Sequence, residues 1–559
     1  MKTLLYLSVL LCFVLAACAP RSPEEKTFAA FVNDHVRVIE PKLKALNLAS
    51  WNANATGEKK YYDENAKLEL DVRKTYSNRQ EYDQLKAWKE SGKIADPLLR
   101  RQLTVLVNNY LPNQIDTLLM RRMVDKGTRI AETFNTFRGN MAGKTVNDND
   151  IINILRTETD SGKRRLAWEA SKQVGEAVAP MVVELIRLRN QAARHLGFEN
   201  YYVMSLTAAE QDEKEILGIF DELKQLTDRP FGELKERIDA ELSKKYGIQP
   251  DRMQPWHYQD RFFQEAPTVG DVDLDRFFKG KKVEELGGSF FRGIGLPADN
   301  IIKNSDLFGR PGKYQHAFCS DIDRLGDIRM MLSITDNEYW TATMLHETGH
   351  AVYAKYIKRG LPFLVRDAAH AFVTEAIAQL MERQASNADW LQAMVGVDDR
   401  EKGAIRSTVT ENLRMRELIF SRWAQVMVRF ERSMYRDPDQ DLNKLWWNLV
   451  EEYQSVRRPE KRNKPDWAAK IHLAQYPVYY HNYMLGELAA SQILNAIVRN
   501  VLKQPGLTEV SFAGKTEVGQ YLKSNIFGPG MSLYWNDLMK KATGGPLSAK
   551  CFAQEFVGN

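Results

Sequence analysis

A chain of 559 residues, 44% hydrophobic and 27% charged, has the composition of an ordinary globular protein and can bury a large core as one big domain or two to three smaller ones. Its 78 basic and 73 acidic residues leave a net charge of only +5. The basic residues are scattered rather than striped and no low-complexity run occurs, so nothing calls for a nucleic-acid partner.

Lys2 and the apolar run Leu4–Leu15 read as a secretory signal, too short to span a bilayer in the mature protein. The run ends Leu15-Ala16-Ala17-Cys18, which resembles the lipobox of bacterial lipoproteins. That resemblance implies a signal peptide over 1–17, a lipid on Cys18 and a membrane-anchored protein of the bacterial cell envelope. The outer membrane is favoured because Ala19 is not the aspartate that retains some lipoproteins at the inner membrane. A conventional signal with an incidental cysteine is the alternative. Residues 18–30, with Pro20 and Pro23, read as a polar tether to one folded unit over 31–559.

Helical periodicity then dominates, over 64–135, 163–175, 213–245, 337–358, 371–390, 400–435 and 481–503. Pro180 opens a further helix that runs to His195 and stops at Gly197. Strand-like sequence is confined to Asp327–Thr335, with a partner expected near Tyr314–Ser320. Cys12 lies in the signal, and Cys319 and Cys551 are expected to be free buried thiols. The fold class is mainly α, with a very small β-sheet.

The expected helix 337–358 carries His346-Glu347-Thr348-Gly349-His350. Positions i and i+4 share a helix face, so both imidazoles can reach one ion. Glu347, about 100° round the helix, can face a water on that ion without being a ligand. A buried helix with two satisfied histidines is the bland alternative. A catalytic zinc needs a third protein ligand, and Glu375, 25 residues after His350, has apolar flanks that make an unpaired carboxylate costly. Glu382 is its nearest rival, and His370 reads as a core or surface histidine.

Together these residues resemble the angiotensin-converting enzyme (peptidyl-dipeptidase A) family of zinc peptidases. His316-Ala317, 30 residues before His346, matches a His-Ala pair on a strand lining the family's cleft. Lys470-Ile471-His472 matches a Lys-x-His element, and similarity extends over roughly 160–500. The resemblance implies a two-lobed helical body with a deep central cleft, one Zn2+ on His346, His350 and Glu375, and a helical lid near 30–135. It implies that Glu347 activates water, that His472 and Tyr483 stabilise the oxyanion, and that His316 and Ala317 bind the peptide. Lys470 and Tyr480 would hold the C-terminal carboxylate, so that short peptides with free C-termini lose dipeptides. The tyrosines sit one residue later than the family spacing, so Tyr479 and Asn482 stay open as the alternative pair.

Three departures accompany the match. Gln379 stands where such peptidases carry an aspartate that orients a zinc histidine. Val450 and Asn482 replace chloride-binding arginines, so no chloride dependence is expected. No carboxylate-binding glutamine is evident around Met253–Gln259. The rival readings are an endo-acting oligopeptidase of the thimet oligopeptidase or oligopeptidase F type and an inactive peptide-binding lipoprotein.

Overall fold

The computed structural model describes residues 22–267, 273–507 and 509–558; the signal and Cys18 lie outside them. The chain is mainly α, with two small antiparallel two-stranded sheets among the described residues. The first helix, Pro23–Thr56, starts earlier than the expected tether allows. Ser22 and Glu25 form a reciprocal capping box there and Pro23 occupies the first turn, a combination that favours helix over tether.

The stretch 64–135 is a set of helices rather than one: Lys59–Tyr76, Arg79–Ser91, Pro97–Tyr110 and Thr117–Thr136. Asn78, Asp96 and Asp116 each accept hydrogen bonds from two backbone N–H groups of the helix that follows, satisfying donors that would otherwise be orphaned. With Pro23–Thr56 these helices enclose their own core around Phe28, Ile39, Leu85, Leu106 and Tyr110. The helical hairpin also docks against the chain leading to His316. An added Cβ on Gly57, at φ 69°, would lie 2.3 Å from the Gly312 carbonyl, so only glycine permits this contact.

Pro180 does not open a helix; it lies inside the single helix Ser161–His195. A proline there forfeits one bond, to the carbonyl of Glu176, and Glu176 is exposed, so water can serve that carbonyl. Strand Phe318–Asp321 pairs with Ile328–Met331, matching Asp321 with Ile328 and Phe318 with Met331. A second hairpin, Gly139–Met141 with Lys144–Val146, escapes the periodicity because each strand has only three residues. The main core gathers Trp390, Trp423, Trp535 and the long helices Asp399–Arg436 and His481–Ala496.

Candidate metal centre and peptide cleft

Three helices meet at the centre: Glu338–Tyr356 with both motif histidines, Ala371–Glu382 with Glu375, and His481–Ala496 with Tyr483. Their approach depends on two glycines. An added Cβ on Gly349 would lie 2.9 Å from Ala378 Cα, and one on Gly486 would lie 2.7 Å from Gln379 Oε1 and 3.1 Å from Glu375 Cγ. At Gly349 the obstacle is backbone, so a larger residue would push the two helices apart; at Gly486 it is the Gln379 and Glu375 side chains, which would have to shift.

Glu375 lies between the histidines. Its Oε1 is 3.7 Å from His346 Nε2 and its Oε2 is 3.6 Å from His350 Nε2. One donor atom from each of the three falls within 4.8 Å of the others, a spacing and donor set that fit a divalent ion with room for a further ligand. The other nitrogens of the two rings are also held. His346 Nδ1 bonds Glu382 Oε2 at 2.8 Å, and His350 Nδ1 bonds Thr374 Oγ1 at 2.8 Å. Such outer partners fix which ring nitrogen faces the metal.

The carboxylate that orients His346 is therefore Glu382. Gln379 instead reaches the Tyr483 carbonyl through Nε2 at 3.5 Å. His370, which also caps this helix, bonds the Ala209 carbonyl through Nε2 at 2.9 Å and takes no part in the centre.

The charge balance fits a cation. Burial opposes charging His346, yet the carboxylates of Glu382, Glu375 and Glu347 hold its pKa up at about 10. Burial and the charge of His346 push His350 down to about 3. Three carboxylates around one imidazole thus favour a positive charge at this point, which a bound metal ion would supply. Glu347 is 6% exposed; burial raises its carboxyl to about 7, with His346 acting in the opposite direction. A pKa near neutrality suits a general base.

Two cavities meet at this centre. One, of about 690 Å³, includes Ala317, Glu347, His350, Tyr479 and Tyr483; the other, of about 580 Å³, includes Gln264, Glu375, Arg416, Phe420 and Tyr483. Ala317 immediately precedes strand Phe318–Asp321, and His316 is exposed beside the Tyr314 ring at 5.2 Å. Cys319 is a free thiol in the first cavity, and Cys551 is likewise unpaired.

Lys470 is tied to the second cavity through Gln264. Its Nζ donates to Gln264 Oε1 at 2.5 Å and sits 5.4 Å from the Tyr480 ring centre. Burial, aided by Arg261, lowers the Lys470 pKa to about 8. Gln264 lies just past the expected window, Met253–Gln259. The intervening chain is irregular, with Gln259 and Phe263 at positive φ, so counting along a regular element does not reach it.

Among the paired alternatives, Tyr483 lines both cavities. Asn482 is buried and its Oδ1 accepts from Gln211 Nε2 at 2.8 Å, away from the metal donors. Tyr480 accepts the Trp423 indole N–H at 2.6 Å next to Lys470, whereas Tyr479 faces the Ala317 cavity. The His472 ring lies 5.3 Å from that of Tyr480; burial, then Lys470, lowers its pKa to about 4, leaving it neutral. Val450 lines a small separate cavity with Trp446 and Lys172.

The family model described as angiotensin-converting enzyme matches residues 22–556. Angiotensin-converting enzyme of Sus scrofa is 22% identical over 432 residues, covering 71% of this chain and 32% of that protein. An inactive angiotensin-converting enzyme-related protein of Caenorhabditis elegans is 23% identical over 363 residues, covering 58% of this chain and 40% of its own length. Oligopeptidase A of Escherichia coli (strain K12) is 29% identical over 129 residues, covering 22% of this chain and 17% of its own. The chain thus spans about a third of the pig enzyme's length. With a family model matched over almost all of its residues, the chain belongs to the angiotensin-converting enzyme family of metallopeptidases.

Proposed function

We infer that this protein is a zinc peptidyl-dipeptidase that removes dipeptides from the C-termini of short peptides. The observation carrying this reading is the Lys470–Gln264 pair, a half-buried cation and amide whose glutamine lines the cavity that meets the Ala317 cavity at Glu375. Such a pair suits a terminal carboxylate, because hydrogen bonds between charged partners are the strong ones. Fixing that carboxylate fixes how many residues lie between the chain end and the metal.

A zinc ion on His346, His350 and Glu375 would supply Lewis acidity and make water a better nucleophile at neutral pH. The rest falls to the chain. Glu347 takes the proton of the attacking water and returns it to the leaving amine. Tyr483 and His472 donate to the carbonyl oxygen as charge develops on it, a contribution of about a hundredfold or more per donor. Ala317 and His316 hold the peptide along its strand, and Tyr480 supports Lys470.

The test is mass spectrometry of products from one peptide with a free C-terminus and the same peptide amidated. Dipeptides released only from the free acid fit this reading; internal cuts in both would favour an oligopeptidase, the reading that the short Oligopeptidase A match keeps in play. No cleavage of either by zinc-loaded protein would favour an inactive binder. We further infer an envelope anchor at Cys18, supported by the apolar run ahead of it. Cys18→Ser is expected to move the protein from the membrane fraction to the soluble one, and continued membrane retention would remove the anchor.

A further inference from the structure

The cavity on the Ala317 side has a chemical character that the reaction does not use. Ala317, Cys319 and Asp321 are alternate residues, so they share one face of their strand, and all three line the cavity. That strand pairs with a neighbour along one edge only among the described residues. Asp321 and Asp367 line the same cavity, and no lysine or arginine does.

Asp367 is already matched, 2.6 Å from Arg324 Nη2. Asp321 is not. Its Oδ1 accepts the backbone N–H of Arg324 at 2.9 Å, and its other oxygen makes no hydrogen bond among the described residues. Arg359, whose charge also acts on it, donates instead to the Arg324 carbonyl at 2.8 Å. Burial raises the Asp321 carboxyl to about 6, with the Asp367 charge adding to the rise; a carboxylate in contact with a cation would be lowered instead.

Glu347 opens into the same cavity, 6% exposed and without a hydrogen-bond partner among the described residues, so its carboxylate meets a bound peptide from this end. Cys319 lies within the electrostatic reach of Glu347, and Asp321 is two residues further, about 7 Å along the strand. Because Gln264, the partner of Lys470, lines the other cavity at the metal donors, a peptide whose end is held there puts the part before the cut in this cavity.

We propose that Asp321 selects substrates carrying a cationic group one or two residues before the scissile bond, either a lysine or arginine side chain or the free α-amino group of a short peptide. The proposal rests on the peptidase reading above and adds to it a substrate class. A cavity of about 690 Å³ has room for the longest of these side chains.

The test uses the zinc-loaded full chain and N-acetylated peptides sharing one C-terminal dipeptide. These carry lysine, norleucine or glutamate at the first or second position before the cut, and one norleucine peptide is left unacetylated. The lysine peptide is expected to exceed norleucine about tenfold in kcat/KM, with glutamate poorest. A gain confined to the unacetylated peptide would identify the α-amino group as the occupant. In Asp321→Asn the advantage should fall towards one, and Asp321→Glu should restore part of it. Equal rates for all peptides, or an advantage that survives Asp321→Asn, would overturn the proposal. Binding of the same peptides to Glu347→Gln, followed by fluorescence anisotropy, separates the two claims. A charge preference in binding with no cleavage by the unsubstituted chain sinks the peptidase reading alone; cleavage without preference sinks only the subsite.

Discussion

Glu382 places a carboxylate oxygen 2.8 Å from Nδ1 of His346, two helical turns beyond Glu375 on the same face of one helix. Running antiparallel, the two helices pair His350 with Thr374 at one end and His346 with Glu382 at the other. The candidate donor Glu375 and the support of His346 thus come from a single helix, and Gln379 between them packs against Gly486 and bonds the Tyr483 carbonyl. Burial opposes the charge on Glu382, but the bond to His346 and then Arg416, with Nη1 3.7 Å from Oε1, hold its carboxyl low.

Removing that support should loosen the metal without unfolding the chain. Glu382→Gln is expected to weaken zinc binding by about 10- to 100-fold, the usual cost of losing an outer-shell partner. Gln379→Ala should leave zinc affinity near that of the unsubstituted chain. Competition against a chelator of known affinity measures both, and equal affinities for Glu382→Gln and the unsubstituted chain would refute the assignment.

Glu347 has a different signature. Glu347→Gln keeps the side chain's shape in its buried position and should retain zinc, while turnover falls by about 10²- to 10⁴-fold for want of a general base. Metal analysis and steady-state rates on the same preparation check both halves. Retained turnover would sink the mechanism.

Lys470 predicts a pH dependence. Burial lowers its pKa to about 8, so in the free enzyme it is charged below that pH and neutral above it. For peptides with a free carboxyl end, kcat/KM should fall as pH rises through about 8, since kcat/KM reports free-enzyme ionisations. Lys470→Leu should lower kcat/KM about tenfold or more and flatten that limb of the profile. An unaltered profile in the variant would assign the ionisation elsewhere.

Gly486→Ala tests the packing of the centre. The new methyl group would meet Gln379 Oε1 at 2.7 Å and Glu375 Cγ at 3.1 Å. Overpacking of this kind costs about 1–3 kcal/mol, and here the displaced group is a metal donor. A lower melting temperature together with weaker zinc binding is expected. Gly403→Ala, on an open helix surface with nothing within 4 Å of the added Cβ, serves as the control.

The amino-acid sequence by itself determined the helical class, the i, i+4 histidine pair and the carboxylate after it, because these follow from local periodicity and from the few donor sets that hold zinc. The Lys-x-His element and the tyrosine cluster have no such local signal and stand out only through the resemblance to the family. Tertiary structure decided everything that depends on which face of one helix meets another. It put Glu382 rather than position 379 on His346, and Gln264 rather than a residue of 253–259 on Lys470. It turned Asn482 into the core and Tyr483 towards the metal donors, a choice that spacing left open because one inserted residue rotates a helix by about 100°. Partners brought together by close helix crossings at Gly349 and Gly486, or by irregular chain with positive φ, carry no period for a sequence to display. Their identity is settled only when the backbones pack.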